Sequence, residues 1–361
     1  MATIKKIHIL QFRNIKDQYI KPNKDINIFV GDNAQGKTNL VEAIYFLGHN
    51  KSFKTKNLKD LIPFNKKDIK VSAEVDSSRV VLERSKNNNS ATVNKQKINN
   101  NSTLTHLLPT LIISPDRGYI VGGAPKLKRS YLDWGVFHME PTILQTYKSF
   151  SRALKNTNSL FSSGDNRQLD YWFIELATLS VEISLARKNY IERLSKKIER
   201  PFLFKTNKTF NLNKTSSFLF NSGWTKDINY LDQEEVYGFL KKNTNNFVKV
   251  KHLNHGPHKA TIDFFLDKQT ENHFSRGEQK ILSIMFWVAQ ILILIDAGVF
   301  PVVLIDDISS ELDKQKTNLV LDCLLDLGVQ VFITDIGKKT LVVDKKKTNF
   351  YKINSGAIKG L

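Results

Sequence analysis

A short strand-like run, Asp25–Val30, leads directly into Gly31-Asp32-Asn33-Ala34-Gln35-Gly36-Lys37-Thr38, and a helical pattern over Lys37–Leu47 follows it. The octapeptide fits G-x-x-x-x-G-K-[ST] in the strand–loop–helix setting that this motif requires. Its two glycines allow backbone N–H groups to wrap an anion at the positive end of a helix. Gly31, Asp32, Asn33, Ala34, Gln35 and Gly36 are therefore expected to cradle the phosphates of ATP. Lys37 is expected to bridge the β- and γ-phosphates, and Thr38 to hold Mg²⁺ through its hydroxyl. With glycine at roughly 7% of residues, a chance match in a chain of this length is on the order of one in a hundred. The helix reads with Leu40, Val41, Ile44 and Leu47 on one face and Gly48 as its stop.

A triphosphate site needs an acidic residue at the end of a second buried strand, and Val302-Val303-Leu304-Ile305-Asp306-Asp307 supplies two. Asp306 is expected to hold the Mg²⁺ through water. Asp307 is placed to position or deprotonate the attacking water on the γ-phosphate side. Taken alone, a paired aspartate there can also be a solvated turn. A third pattern, Ser275-Arg276-Gly277-Glu278-Gln279, opens a long apolar helix and resembles the signature motif of ABC-type ATPases. The serine hydroxyl, the glycine N–H and the helix N-terminus would form a second anion site. Ser275 and Glu278 equally make an ordinary capping box. A signature motif is useful only where it covers the nucleotide of another copy, so the three motifs together predict an ATP-sandwiched homodimer.

The two nucleotide motifs lie near opposite ends of a 361-residue chain. One sheet must then draw strands from both ends, with whatever lies between inserted as a second lobe. The N-terminal third reads as mostly β around one helix: Ile4–Phe12, Ile69–Val75, Val80–Glu83 and a hairpin about Asn94–Lys95. Long helical patterns follow over Pro141–Phe161 and Gln168–Glu199, and then an Asn/Ser/Lys-rich excursion over Thr206–Asn221. The C-terminal part returns to α/β order: helix Glu278–Leu294, strand Val302–Asp306, helix Asp313–Leu327 and strand Val329–Thr334. The expected class is α/β, an ABC-ATPase-like head: a P-loop sheet with associated antiparallel strands, carrying an inserted, largely helical second lobe. Residues 1–126 plus 296–361 form the ATPase lobe, and 127–295 the helical lobe that ends in the signature motif.

Composition narrows the class further. There are 54 Lys+Arg against 35 Asp+Glu, a formal net charge of +19. Such a field attracts polyanions, although 43 of those charges are lysine and Asn is also abundant, a habit that genomic base composition alone can produce. The single cysteine, Cys323, excludes an intramolecular disulfide framework and any multi-cysteine zinc site. The first residues carry too much charge for a secretory signal. The apolar stretch from Ile281 to Ile305 is broken by Gln290, Asp296 and Pro301, so it reads as a buried helix and strand rather than a membrane span, and a cytoplasmic location is expected. His252, His255 and His258 could be metal ligands, but with no cysteine nearby and no neighbouring carboxylate before Asp263 a basic or structural loop is favoured.

Beyond these motifs, the chain resembles the RecF family of bacterial repair ATPases, within the broader group of SMC-like ABC ATPase heads. The likeness runs nearly end to end. It covers Phe12-Arg13-Asn14, Gly31–Leu47, Ser114-Pro115-Asp116, Lys128-Arg129-Ser130-Tyr131-Leu132-Asp133, His255-Gly256-Pro257-His258-Lys259, Ser275–Gln279 and Asp306–Asp313. The resemblance implies a weak, DNA-dependent ATPase that dimerises on single-stranded or gapped DNA with ATP. It also implies cooperation with RecR and RecO in loading RecA at gaps. By the same resemblance Arg13 lies near phosphate, although a turn residue at a strand end is an equal reading, and Ser275, Gly277, Gln279 and Asp313 contact nucleotide. The chain departs from the pattern in three places: Lys259-Ala260-Thr261 after Gly-Pro-His, Thr334-Asp335 where transporter ATPases carry a histidine, and Asp307 in place of a catalytic glutamate. Asp116 is the candidate for the Q-loop position. Two other classes are weighed against this one. A nucleotide-binding subunit coupled to a membrane or other protein partner fits poorly with the absent histidine and the long helical middle. A P-loop kinase leaves Ser275–Gln279 without a purpose.

Overall fold

The computed structural model describes residues 2–114, 118–164, 167–198, 214–307, 313–336 and 346–361. The chain forms two compact units, residues 1–118 with 294–361, and residues 119–293. It begins with strands β1 (Ile4–Phe12), β2 (Ile15–Ile20) and β3 (Ile26–Val30), then helix α1 (Lys37–His49). Strands β4 (Asp68–Val75), β5 (Ser78–Ser85), β6 (Asn89–Val93) and β7 (Gln96–Lys97) follow, then α2 (Asn101–Leu107) and β8 (Thr110–Ile113). The second unit holds α3 (Pro125–Met139), α4 (Ile143–Ser163), α5 (Leu169–Ile198), β9 (Ser216–Asn221), α6 (Gln233–Lys242) and α7 (Thr244–Val250). It continues with β10 (Thr261–Leu266), β11 (Gln269–Thr270) and α8 (Arg276–Asp296). The chain closes with β12 (Val302–Ile305), α9 (Lys314–Asp326), β13 (Val331–Asp335), β14 (Thr348–Asn354) and β15 (Ala357–Gly360).

The first unit contains two six-stranded sheets. One is antiparallel, in the order β2-β1-β4-β5-β6-β7. Its β4–β5 turn places Asp76 at φ 49°, and its β6–β7 turn places Asn94 and Lys95 at φ 51° and 68°, the doubly left-handed pair of a tight hairpin. The other sheet runs β15-β14-β3-β13-β12-β8 and is parallel from β14 to β8. Here β3, from the start of the chain, pairs with β13, from near its end, in register Ile26↔Val331 through Val30↔Asp335. β3, β8, β12 and β13 are buried at every position, as parallel strands covered on both faces must be. Helix α1 touches both sheets, which corrects its expected one-sided pattern: every residue from Leu40 to Gly48 is buried. Nor is Gly48 the stop. A Cβ there would lie 2.5 Å from Thr110 Oγ1 and 2.7 Å from the Leu108 carbonyl, so glycine allows a close approach and the helix ends at Asn50, φ 50°. Of the lysine-rich close of the sequence, residues 348–360 form the β14–β15 hairpin and residues 337–345 lie outside the described residues.

In the second unit α4, α5, α6 and α7 enclose an aromatic core that includes Phe150, Phe161, Phe173, Trp224 and Phe247. β9, β10 and β11 form a small antiparallel sheet. Helix α3 was not expected, because its buried face includes Lys128, Gly135 and His138 and so shows no clean apolar stripe. Of the Thr206–Asn221 excursion, Ser216–Asn221 is strand β9 and residues 206–213 lie outside the described residues. Helix α8 is long and apolar enough to cross a membrane, but most of it is buried within the protein. Its buried polar residues Gln290 and Ser283 are satisfied internally: Gln290 Nε2 donates to Tyr131 O and Tyr190 Oη, and Ser283 Oγ accepts the Val121 N–H.

Candidate nucleotide site

Three neighbouring parallel strands deliver the site, because ligands of such sheets bind beyond the strands' carboxyl ends. β3 runs into the loop 31–36, β13 ends at Thr334-Asp335, and β12 is followed by Asp306-Asp307. Thr334 Oγ1 donates to Asp306 Oδ1 at 2.6 Å and accepts the Asp307 N–H at 2.8 Å. The Thr38 hydroxyl also lies near enough to the Asp306 carboxylate to favour its charged form. The loop threonine and the strand-end aspartate, far apart in sequence, are thus neighbours. Burial pushes the Asp306 carboxyl above the usual carboxylate range; the Thr334 and Thr38 hydroxyls and the Lys54 charge pull it back, and Asp307 raises it. Asp307 and Ala34 both adopt left-handed φ, 52° and 64°, a conformation that costs about 1–2 kcal/mol in a residue with a Cβ.

Lys37 is buried, and its Nζ donates to the Gly31 and Asp32 carbonyls at 2.5 and 3.2 Å. This places the ammonium inside the loop's own curve. Asp32, Asn33 and Ala34 are exposed at the loop tip. The loop is clamped from outside by two turns. Asn14, in the β1–β2 turn, donates through Nδ2 to the Gln35 carbonyl, and the Gln35 carbonyl and side chain accept the Gly356 and Ser355 N–H groups of the β14–β15 turn. A Cβ on Gly36, at φ 107°, would lie 2.6 Å from Asn14 Oδ1, so the close approach needs glycine.

A metal site at this place has to draw on Thr38 and Asp306. Mg²⁺ takes oxygen ligands, is held by one or two protein groups and keeps water or phosphate oxygens for the rest. A hydroxyl and a carboxylate set side by side are a donor set of that kind. Among the described residues no group of three or more His, Cys, Asp or Glu could form a metal cage. The three histidines flagged in the sequence turn to separate partners: His252 to Val250 O, His255 to Asn254 Oδ1, and His258 to Leu253 O.

Arg13 has a definite partner in Glu42, on α1. Its Nη2 donates to Glu42 Oε1 at 2.8 Å and its Nε to Oε2, while Glu42, fully buried, also accepts the Ser52 hydroxyl. Ser275, Gly277 and Gln279 lie in the second unit, at the start of α8. Ser275 and Gly277 are exposed. Ser275 and Glu278 form the reciprocal capping box: the Ser275 N–H donates to Glu278 Oε2 at 2.8 Å and the Glu278 N–H to Ser275 Oγ at 3.3 Å. Lys214 holds the Glu278 carboxyl below its ordinary range, and the Ser275 N–H adds to this. Gln279 packs against Gly122, where a Cβ would come within 2.7 Å of it. Asp313 is the N-cap of α9, accepting the Lys316 N–H at 2.9 Å. Asp116 and residues 308–312 lie outside the described residues.

Glu42, Thr334 and the Ser355-Gly356 turn received no role from the sequence. A lone carboxylate inside the apolar run of α1 was the available signal for Glu42; a threonine at a strand end carries none. The Lys128–Asp133 stretch is structural within its unit. Lys128 pairs with buried Glu271, Arg129 donates to Ala260 O, and Asp133 accepts from Tyr147 Oη and Arg187 Nε. Arg187 also donates to Pro257 O at 2.7 Å, so this network carries the Gly256-Pro257-His258 turn.

Residues 3–359 match the RecF/RecN/SMC N terminal domain family. The chain is 30% identical over 368 residues to the DNA replication and repair protein RecF of Histophilus somni, with 99% of each chain covered. It is 30% identical over 375 residues to the RecF of Haemophilus influenzae, again covering 99% of each. Among solved structures it is similar to the recombination mediator protein RecF of the RecFOR pathway with ATP, at 25% identity and a TM-score of 0.86, covering 100% of this chain and 98% of that one. The Smc head domain of Pyrococcus furiosus shares the fold, with a TM-score of 0.56 at 15% identity.

Proposed function

The chain belongs to the RecF family, and from that premise we propose that it is an ATP-dependent DNA-binding protein of recombinational repair and replication in the cytoplasm. ATP closes two copies on single-stranded or gapped DNA, and slow hydrolysis releases them. The observation that carries this reading is the meeting of the phosphate loop after β3 with the acidic end of β12 across β13, which sets Thr38 beside Asp306.

Each residue then has a task. The N–H groups of residues 31–36 and the Lys37 ammonium hold the β- and γ-phosphates, and the Asn14 and Ser355-Gly356 clamps keep the loop in that shape. Thr38 and Asp306 would hold Mg²⁺, which when bound would supply positive charge to offset that of the phosphates. Thr334 orients Asp306 and the backbone of Asp307 together. Asp307 positions the attacking water and takes its proton as the γ-phosphoryl group leaves ADP. An aspartate reaches one methylene less far than the glutamate usual in ABC ATPases, which suits a slow switch. Ser275, Gly277 and the positive end of α8 seal the nucleotide held by the other copy. Arg13, fixed on Glu42, braces α1 behind the phosphate loop. A RecF of the RecFOR pathway has been solved with ATP-γ-S; by likeness, this chain works with RecR and RecO and supports RecA loading at gaps.

Light scattering with and without ATP and DNA tests the switch. Wild type is expected to dimerise with ATP, while Lys37→Ala and Ser275→Arg each stay monomeric. Mixed, they form one complete composite site and regain part of the ATP-driven association. Dimerisation of Lys37→Ala at wild-type levels would overturn the reading.

A further inference from the structure

We propose that the loop between α1 and β4, residues 51–67, is a single-stranded nucleic-acid platform on which Phe64 stacks an unpaired base and the surrounding lysines take the phosphates. This rests on the DNA-binding reading above and adds to it the place where an unpaired stretch of the strand is held. The loop carries Lys51, Lys54, Lys56, Lys59, Lys66 and Lys67, all exposed, against a single carboxylate, Asp60. That carboxylate is occupied within the loop: Thr55 Oγ1 donates to its Oδ2 at 2.6 Å and Asn57 Nδ2 to its Oδ1 at 2.8 Å.

The loop is built to hold its shape. Leu61 is fully buried, and Phe53, Leu58 and Ile62 pack against the core of the first unit. Ser52 Oγ accepts the Lys54 and Thr55 N–H groups at 2.9 and 3.0 Å, and the Leu61 carbonyl accepts the Arg13 N–H at 2.8 Å. Lysines on such a frame meet a polyanion without first losing the backbone entropy of a free loop.

Phe64 is the second, independent feature. It stands on a turn closed by the Lys66 N–H to the Pro63 carbonyl at 2.9 Å, and it is 99% exposed. Tyr19, among the described residues the next most exposed aromatic side chain, already has its ring stacked on His8 at 3.9 Å between centroids. A free aromatic face beside lysines is what a sequence-tolerant single-strand binder uses, because an unpaired base offers an open π-face and a base within a duplex does not. The loop also reaches the nucleotide site. Ser52 donates to Glu42, the partner of Arg13, and the Lys54 charge acts on Asp306. Strand binding and phosphate binding would thereby share one scaffold.

Fluorescence anisotropy on the full chain with ATP, using an oligo-dT strand and a blunt duplex of equal length, tests the proposal, with thermal melting as the folding control. Phe64→Ala is expected to weaken single-strand binding about 5- to 100-fold and to leave duplex binding within about twofold. Reversing Lys56, Lys59, Lys66 and Lys67 to Glu is expected to reduce the slope of log K against log salt on the single strand by about 3. Unchanged single-strand affinity in Phe64→Ala, or equal losses on both substrates, overturns the platform; the exposed ring would then belong to a protein contact. If wild type binds neither substrate, the DNA-binding reading falls together with it.

Discussion

Replacing Arg13 by alanine separates a phosphate ligand from a structural brace. The Arg13 side chain is 23% exposed while that of Glu42 is fully buried, and the guanidinium donates twice to that carboxylate. Arg13→Ala leaves Glu42, among the described residues, with the Ser52 hydroxyl as its side-chain hydrogen-bond partner, an uncompensated buried charge that costs about 3–5 kcal/mol. For a unit of this size, about 2–4 °C of melting temperature accompanies each kcal/mol, so a fall on the order of 10 °C is expected. Glu42→Gln retains an acceptor for Arg13 and should cost about 1–3 kcal/mol. The double variant buries no charge, so it should recover about 2 kcal/mol relative to the sum of the singles. Urea unfolding measures this as shifts in midpoint at constant m, and a fluorescent ATP analogue measures nucleotide affinity on the same samples. A brace shows strong coupling in unfolding and only a modest change in nucleotide affinity. An Arg13→Ala protein of wild-type stability that binds ATP a hundredfold more weakly would refute the brace and make Arg13 a nucleotide ligand.

Thr334→Val removes a donor to Asp306 and an acceptor for the Asp307 N–H; turnover should fall by tenfold or more with nucleotide affinity nearly unchanged, and its pH profile should move to higher pH because Asp306 loses a group that favours its charged form. Burial pushes His258 down to about 4, so the folded chain refuses a proton that the unfolded chain accepts below about 6.5. Stability should fall by roughly 3 kcal/mol as pH drops from 6.5 to 4, and His258→Gln should flatten that slope in urea titrations. Glu278 is held low by Lys214 and the Ser275 N–H, so its support of α8 is complete above about pH 4.3 and fades as pH falls through the lowered value; Glu278→Gln should show a weaker acid dependence of helix signal by circular dichroism. Gly356→Ala would set a Cβ 2.2 Å from the Asn14 carbonyl at φ 79°, and should raise the ATP concentration for half-saturation by loosening the clamp on Gln35.

Local pattern and short-range chemistry were enough to read the phosphate loop, the acidic strand end, the capping box of α8 and an α/β fold with strands drawn from both chain ends. The first three rest on residues close together in sequence, whether a glycine spacing, an apolar run with two carboxylates, or a serine three residues before a glutamate; the fold followed because two motifs at opposite chain ends have to meet. Tertiary structure decided what depends on distant partners. α1 is buried all round because two sheets close on it, and Gly48 lies within it because the Leu108–Thr110 segment passes too close for a side chain. α3 is a helix despite a polar buried face, because Glu271 lies opposite Lys128. Thr334 gains its place between two aspartates only when β13 lies beside β12. Arg13 pairs with a residue 29 positions away. A sequence displays its nearest neighbours along the chain, whereas a buried charge or hydroxyl is defined by whatever folding brings against it.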